Sequence, residues 1–134
     1  MEANKIIITG AATRIGAAIA KSLSGPDVEI VIHYNSSKTK AEKLKRELIK
    51  NHTKVFLIKG DLSKEKDLNK IIKFSKSKLR YFDCLINNAS LFENDNLRNF
   101  TSKSWAKHLD VNLKAPAYLT KEFAKNTKGK NNNI

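Results

Sequence analysis

The chain has 134 residues, which is enough for one domain with a core of its own. It carries 26 basic and 13 acidic residues, for a net charge of +13, and its single cysteine, Cys84, excludes an internal disulfide. The lone cysteine, the lack of a basic-then-apolar start and the lack of an apolar run near about 18 residues predict a cytoplasmic protein with no membrane partner.

The positive charge raises the question of a nucleic-acid partner. Only four of the basic residues are arginines, and the lysines are spread over every predicted helix. Proteins that read bases and phosphates favour arginine forks, clustered basic patches and interleaved aromatic side chains. Solvated lysine faces therefore explain the charge better than a specific nucleic-acid site does. Weak, salt-sensitive binding to polyanions is the alternative.

The first predicted unit is a strand followed by a glycine turn and a helix. The apolar run 6–8 predicts a buried strand, and a helical pattern extends to Leu23. Between them lies the segment 9–16, T-G-A-A-T-R-I-G. Gly10 suits a turn with positive φ, and Gly16 allows close backbone approach at a helix N-terminus, where a diphosphate is the expected guest. Because the glycine spacing is not G-x-G-x-x-G, ordinary turn chemistry is the alternative.

Strands and helices then alternate along the rest of the chain. Strands are predicted over 28–34, 54–59 and 83–87. A helix capped by Ser36 or Ser37 follows the first of them, and a helix capped by Ser63 follows the second. A last helix begins at Thr101 or Ser102, carries Trp105, Leu109 and Leu113, and continues past Pro116 to Leu119 and Phe123. Asn112 and Pro116 predict a distortion in that last helix.

This order predicts a single α/β domain over residues 1–134, a Rossmann-like, doubly wound parallel sheet of about four strands in the order 3-2-1-4. Right-handed crossovers bring the carboxyl ends of all strands to one rim. The turns 9–16, 33–37, 60–62 and 87–92 then share that rim, where such sheets bind ligands.

Four motifs together resemble the short-chain dehydrogenase/reductase family over essentially the whole chain. They are Thr9-Gly10-x3-Arg14-Ile15-Gly16, Asp61-Leu62, Asn87-Asn88-Ala89-Ser90 and Asp110-Val111-Asn112. Within the family, Arg14 stands where glycine is usual, and N-A-S-x-F replaces the common N-A-G. Both features resemble the pteridine reductases and the related dihydromonapterin reductases.

The resemblance implies a site for NADP, with NADPH preferred over NADH. An NAD enzyme holds the ribose diol with a carboxylate after the second strand, and residues 33–37 contain no acid. Arg14 can offer a fork to a 2′-phosphate; a solvated arginine is the alternative. Asp61 and Leu62 resemble the adenine contacts, or else form a plain helix-entry turn. The implied cofactor-binding residues are Thr9, Gly10, Arg14, Ile15, Gly16, Tyr34, Asn35, Ser36, Ser37, Asp61, Leu62, Asn88, Ala89 and Ser90.

Two further residues gain roles from the resemblance. Phe92 is expected to stack on a flat pterin substrate, although a lone Phe after a strand is often a core residue. Asn112 resembles the helix asparagine that positions a water in the proton relay. The three histidines show no metal-ligand spacing, so no metal site is expected.

The family's Tyr-x-x-x-Lys pair is missing from its expected place. The spacing occurs only at Tyr34 and Lys38, in the predicted cofactor loop. We therefore expect a chain that is incomplete at its C-terminus and inactive alone, from a reductase of small molecules that is a homo-oligomer when full length. The alternatives are a non-catalytic nucleotide-binding fragment and a general 3-oxoacyl or ketone reductase of the same family.

Overall fold

The structure is a computed structural model that describes residues 4–128. Four strands and five helices alternate along the chain. They are β1 (Asn4–Ile8), α1 (Arg14–Ser22), β2 (Val28–Tyr34), α2 (Lys38–Ile49), β3 (Lys54–Lys59), α3 (Glu65–Leu79), β4 (Cys84–Ile86), α4 (Ser102–Leu109), a π-helical segment (Asp110–Lys114) and α5 (Ala115–Ala124). Within the described residues, no helix is long and apolar enough to cross a membrane.

The strands form one parallel sheet in the order β3-β2-β1-β4. Ile7 of β1 is in register with Val31 of β2 on one side and Leu85 of β4 on the other. The predicted fold class and strand order are therefore confirmed. All four carboxyl ends lie at one edge of the sheet, because the strands are parallel.

The sheet is covered on both faces, which explains why its strands are apolar without alternation. Ile7 and Val31 pack against α3 and α5 through Leu68, Leu119 and Phe123. The neighbouring strand residues point the other way and pack against α1 and α2. That second cluster includes Ile6, Ile8, Ile30, Ile32, Ala20, Leu44 and Leu48.

The predicted cap of α3 is wrong, because the N-cap lies one residue later than Ser63 and the helix begins at Glu65. Its N-cap is Lys64, and Ser63 is held in the preceding turn by Asp61. The Oδ1 atom of Asp61 accepts hydrogen bonds from the backbone N–H (3.0 Å) and the hydroxyl (2.7 Å) of Ser63. Asp67 accepts in turn from the backbone N–H of Asp61 at 2.8 Å. Ser63 therefore donates its hydrogen bonds within the turn and does not cap the helix.

The predicted distortion of the last helix is confirmed. Thr101 caps α4 in a reciprocal arrangement with Ser104, and the helix then widens into the π-helical segment before α5 starts. The buried residues of this long helical stretch all lie in α5, at Ala115, Leu119 and Phe123. Three apolar positions before Pro116 lie exposed, namely Trp105, Leu109 and Leu113.

Candidate functional site

An open cleft of about 610 Å³ lies at the carboxyl edge of the sheet. Its size falls within the range of about 300–1,000 Å³ that is typical of small-molecule and cofactor sites. Loops after all four strands and one side of α4 enclose it. Its lining residues are Gly10, Ala12, Thr13, Arg14, Ile15, Gly16, His33, Tyr34, Asn35, Ser36, Ser37, Asp61, Leu62, Asn88, Ala89, Ser90, Leu91, Lys107 and Val111.

Two glycines allow the loop after β1 to pass close to the loop after β4. Gly10 has φ +61°, a conformation that L side chains rarely adopt, and a Cβ atom there would lie 2.9 Å from Cα of Ala89. A Cβ atom on Gly16 would lie 2.5 Å from Nδ2 of Asn88 and 2.6 Å from the carbonyl O of Gly10. The absence of side chains at both positions therefore brings the start of α1 to the cleft.

The start of α1 faces this cleft with free donors. The backbone N–H groups in the first turn of an α-helix have no partner within the helix, and the Thr13 side chain makes no capping hydrogen bond. Thr13, Arg14, Ile15 and Gly16 all line the cleft. A helix N-terminus in this position attracts an anion through its N–H groups and its dipole.

Arg14 is the first residue of α1 and has φ +49°. A left-handed backbone costs a non-glycine residue roughly 1–2 kcal/mol. Glycine, which the family pattern of the sequence analysis has at this position, would adopt this backbone conformation without that cost. Arg14 keeps this conformation while lining the cleft beside the loop after β2.

Thr9 and Asn88 fasten the two loops together beneath the cleft. The hydroxyl of Thr9 accepts hydrogen bonds from the backbone N–H groups of Asn88 (3.1 Å) and Ala89 (3.0 Å). The amide Nδ2 of Asn88 donates to the carbonyl oxygens of Thr9 (3.0 Å) and Gly10 (3.1 Å). Thr9 is only 1% exposed and does not line the cleft, so it supports the floor of the site.

The loop after β2 supplies neutral groups. Asn35, Ser36 and Ser37 line the cleft, and Tyr34 packs its ring against Ala12 and Ala41. Tyr34 is 8% exposed. The one Tyr-x-x-x-Lys spacing of the chain therefore involves a tyrosine whose ring belongs to a small apolar cluster.

Asp61 is the carboxylate in the cleft. Its hydrogen bond from the Ser63 hydroxyl, aided by the Ser63 backbone N–H and by Lys64, lowers the pKa of Asp61 below its usual value. The backbone N–H of Asp61 likewise lowers the pKa of Asp67. Both groups are therefore ionised at neutral pH. Leu62, next to Asp61, is buried and closes this end of the cleft.

The loop after β4 is tied to α4 by a series of side chains. Asn112 in the π-helical segment accepts from the backbone N–H of Leu91 and donates to its carbonyl, both at 2.8 Å. Glu93 donates its backbone N–H to Nε2 of His108 (3.0 Å), and its carboxylate pairs with Lys107. Asn112 does not line the cleft.

Phe92 lies outside this network of contacts. Its side chain is 85% exposed and does not line the cleft. The expected stacking role of Phe92 stays a prediction, and so does the expected role of Asn112.

The family model of the short chain dehydrogenases matches residues 4–134 of the chain. The chain belongs to the short chain dehydrogenase family.

Curated members of this family match the chain over most of its length. The short-chain dehydrogenase/reductase FrzI of Cladobotryum sp is 31% identical over 113 residues, which are 84% of this chain and 44% of FrzI. The 3-oxoacyl-acyl-carrier-protein reductase FabG of Staphylococcus epidermidis is 30% identical over 108 residues, 81% of this chain and 44% of FabG. This short chain dehydrogenase sequence thus spans about half the length of the curated relatives it matches.

A solved structure shows the same arrangement. The FolM alternative dihydrofolate reductase 1 of Brucella canis, complexed with NADP, has a TM-score of 0.84 at 28% sequence identity. The match covers 93% of this chain and 50% of the Brucella protein. This likeness agrees with the Rossmann-like fold that the sheet order shows.

Sequence reasoning missed several residues that line the cleft of this short chain dehydrogenase. Thr13 and Ala12 lie inside the glycine segment, so their position gave a usable signal. His33 ends a predicted strand, but nothing in the pattern indicates which way its ring points. Leu91, Lys107 and Val111 line the cleft because of the path of the loop after β4, which composition does not predict. Residues 4–128 contain no cluster of three or more potential metal ligands.

Proposed function

We propose that this chain forms the NADPH-binding part of a reductase of the short chain dehydrogenase family. One observation carries the proposal: the uncapped start of α1 opens into a cleft that Arg14 lines together with the neutral loop 35–37. Gly10 and Gly16 let the loops after β1 and β4 pack closely at the start of α1, whose backbone N–H groups fit a diphosphate. The Brucella FolM protein, of the same fold, was solved with NADP.

The charges that line the cleft favour NADPH over NADH. A carboxylate after β2 would repel a 2′-phosphate and hold the ribose diol, but Asn35, Ser36 and Ser37 occupy that place. Arg14 supplies a planar guanidinium that can donate two parallel hydrogen bonds to a phosphate. Arg14 is therefore the residue that distinguishes the two cofactors.

Arg14→Gly tests this assignment. We expect NADPH to bind at least about tenfold more weakly, because the charge-assisted hydrogen bonds of the guanidinium are lost, while the affinity for NADH stays within about twofold. Both affinities can be measured by isothermal titration calorimetry. Glycine accepts the φ of +49° at this position, so the fold is kept.

Arg14→Lys is the matched control. It keeps the charge but loses the fork, so its NADPH affinity is expected to lie between those of Arg14→Gly and the unaltered chain. If Arg14→Gly left the ratio of NADPH to NADH affinity unchanged, Arg14 would be a solvated helix residue and the assignment would be wrong.

The reaction of the whole protein is proposed to be the reduction of a pterin or a similar imine or carbonyl compound. Bound NADPH supplies the hydride. N-A-S-x-F at 88–92 and the 28% identity to an alternative dihydrofolate reductase support a pterin. The 30% identity to a 3-oxoacyl-acyl-carrier-protein reductase favours a 3-oxoacyl substrate as the second candidate.

Asn112 is proposed to serve the proton relay through its main chain. Its side-chain amide is engaged by both backbone groups of Leu91. Pro116 lacks the N–H that an α-helix would offer to the carbonyl of Asn112. We propose that this carbonyl accepts a hydrogen bond from a water.

The 134-residue chain itself is proposed to bind the cofactor without turnover. Tyr34 is the one tyrosine that is followed by lysine at the family spacing, and its ring is buried against Ala12 and Ala41. Binding without turnover is the behaviour of the non-catalytic nucleotide-binding alternative. Oxidation of NADPH by the purified chain with a dihydropterin or a 3-oxoacyl compound would contradict this assignment.

Phe92→Ala tests the proposed pterin site. We expect affinity for dihydrofolate to fall about fivefold or more, because ring stacking contributes about 1 kcal/mol, while NADPH affinity is unchanged. Fluorescence titration of both ligands checks this, with the equally exposed Leu97→Ala as a control. Equal loss of both ligands would count against Phe92 as a substrate contact.

A further inference from the structure

His33 occupies a central place beneath the cofactor cleft. It lies near the end of β2, where its residue is only 2% exposed, between the glycine loop after β1 and the turn after β3. Its Nδ1 atom lies 3.2 Å from the backbone N of Gly10, and its Nε2 atom lies 2.9 Å from the carbonyl O of Gly60. One imidazole therefore joins three strand ends.

These two contacts define the protonation state of the ring. A backbone N–H can only donate and a carbonyl can only accept, so Nδ1 must offer a lone pair to Gly10 and Nε2 must carry the proton that binds Gly60. His33 is therefore neutral in this arrangement. A second proton, on Nδ1, would point directly at the N–H of Gly10.

Gly10 is held from both sides by this arrangement. Its N–H donates to His33, and its carbonyl accepts from Nδ2 of Asn88 at 3.1 Å. The main chain of His33 adds a third tie, because its carbonyl accepts from the N–H of Ala11 at 3.0 Å. The left-handed turn at Gly10, which leads into the start of α1, is thereby fixed in orientation.

We propose that neutral His33 is a positioning residue of the cofactor site, and that protonation of its Nδ1 atom releases the glycine loop and weakens dinucleotide binding. This inference rests on the proposed function, because it concerns the geometry of the same cleft. It adds a dependence on pH that the cofactor contacts alone do not imply.

The surroundings of His33 oppose its protonation on balance. Burial lowers the pKa of His33 below its usual value of 6.5, whereas the hydrogen bond to Gly60 and the charges of Asp67 and Asp61 raise it and Lys70 lowers it. Because the unfolded chain takes up this proton first, the contribution of neutral His33 to folding stability is fully present above pH 6.5 and is lost as pH falls toward the lower pKa of the folded chain.

The test uses the whole chain and NADH as the probe. The 2′-phosphate of NADPH would itself titrate at about pH 6, and NADH lacks it. Dissociation constants are measured from pH 8 to pH 5 while the His33 ring and the Gly10 amide are followed by NMR. We expect NADH affinity to fall about fivefold as His33 becomes protonated, since one buried hydrogen bond is lost. The Gly10 amide signal should titrate together with the ring.

His33→Asn is the informative variant, because its Oδ1 can accept from Gly10 but does not titrate. Its NADH affinity should be independent of pH over the same range. The exposed His52, in the turn after α2, provides the control, and His52→Asn should keep the pH dependence of the unaltered chain. A His33→Asn profile that still falls with acid would overturn the proposal.

The NMR arm separates this proposal from the proposed function. If NADH and NADPH fail to bind at every pH, the proposed function is wrong, and the Gly10 amide still reports on the contact with His33. If the His33 ring titrates while the Gly10 amide does not respond, the positioning role is overturned, whatever the cofactor affinity.

Discussion

Gly16→Ala is expected to lower the free energy of unfolding by about 3 kcal/mol and to remove measurable NADPH binding. The added Cβ would lie 2.5 Å from Nδ2 of Asn88, 2.6 Å from the carbonyl of Gly10 and 2.8 Å from Cα of Ala11. None of these atoms can move freely, because two belong to the backbone and the Asn88 amide is held by two carbonyls. Urea denaturation and calorimetric titration measure the two effects.

Gly25→Ala is the matched control for this prediction. A Cβ atom at Gly25 would meet nothing within 4 Å. Its substitution should therefore leave stability within about 0.5 kcal/mol and cofactor binding unchanged. If Gly16→Ala behaved like Gly25→Ala, the close approach of α1 to the loop after β4 would be wrong.

Thr9→Val is expected to destabilise the fold by about 2 kcal/mol, although valine has nearly the same shape. The substitution leaves the backbone N–H of Ala89 without its acceptor and leaves the N–H of Asn88 only its second acceptor, the carbonyl of Ile86, in a place where Thr9 is 1% exposed. The loss should also loosen the floor of the cleft, so NADPH affinity falls with stability. Chemical denaturation measures the change.

Thr9→Ser keeps the hydroxyl and removes only a methyl group. Its expected cost is about 1 kcal/mol, which is that of a lost methyl contact. The comparison separates the hydrogen bonds from the packing. Equal effects of valine and serine would show that the hydroxyl contributes nothing to joining the two loops.

The sheet could be predicted because its signal is local. The apolar runs that became β2 and β3 have the predicted bounds, and the alternation with helices fixed the parallel order. β4 is shorter than predicted, at Cys84–Ile86, since Asp83 and Asn87 lie outside the ladder. Asp83 instead accepts the backbone N–H of Lys5 at 2.9 Å, a contact between distant parts of the chain.

The turns were harder to predict, because side chains compete there for the same donors. Serine is a preferred residue at helix N-caps, yet both the N–H and the hydroxyl of Ser63 donate to Asp61. Thr101, one of the two predicted caps beside Ser102, does cap its helix, and Ser104 completes a capping box that was not predicted. The difference lies in the neighbouring Asp61, whose side chain can reach two residues ahead.

The residues of the candidate site also fall into those that the sequence predicts and those that it does not. Gly10 and Gly16 could be predicted from their positions between a predicted strand and a predicted helix, because glycine is the residue that allows a tight turn and close backbone approach there. The contribution of His33 depends on the direction of a buried ring toward two loops that are 23 and 27 residues away. Lys107 reaches the cleft because Glu93 in the preceding loop pairs with it. Such contacts arise only when the chain is folded.

The central claim is that this chain binds NADPH at the carboxyl edge of its sheet. Titration of the isotope-labelled chain with NADPH and with NADH, followed by amide NMR signals, tests it most directly. We expect saturable binding, about tenfold tighter for NADPH, with the largest shifts at Gly10, Arg14, Gly16 and Asn88. Absence of saturation, or shifts confined to residues away from these loops, would contradict the account.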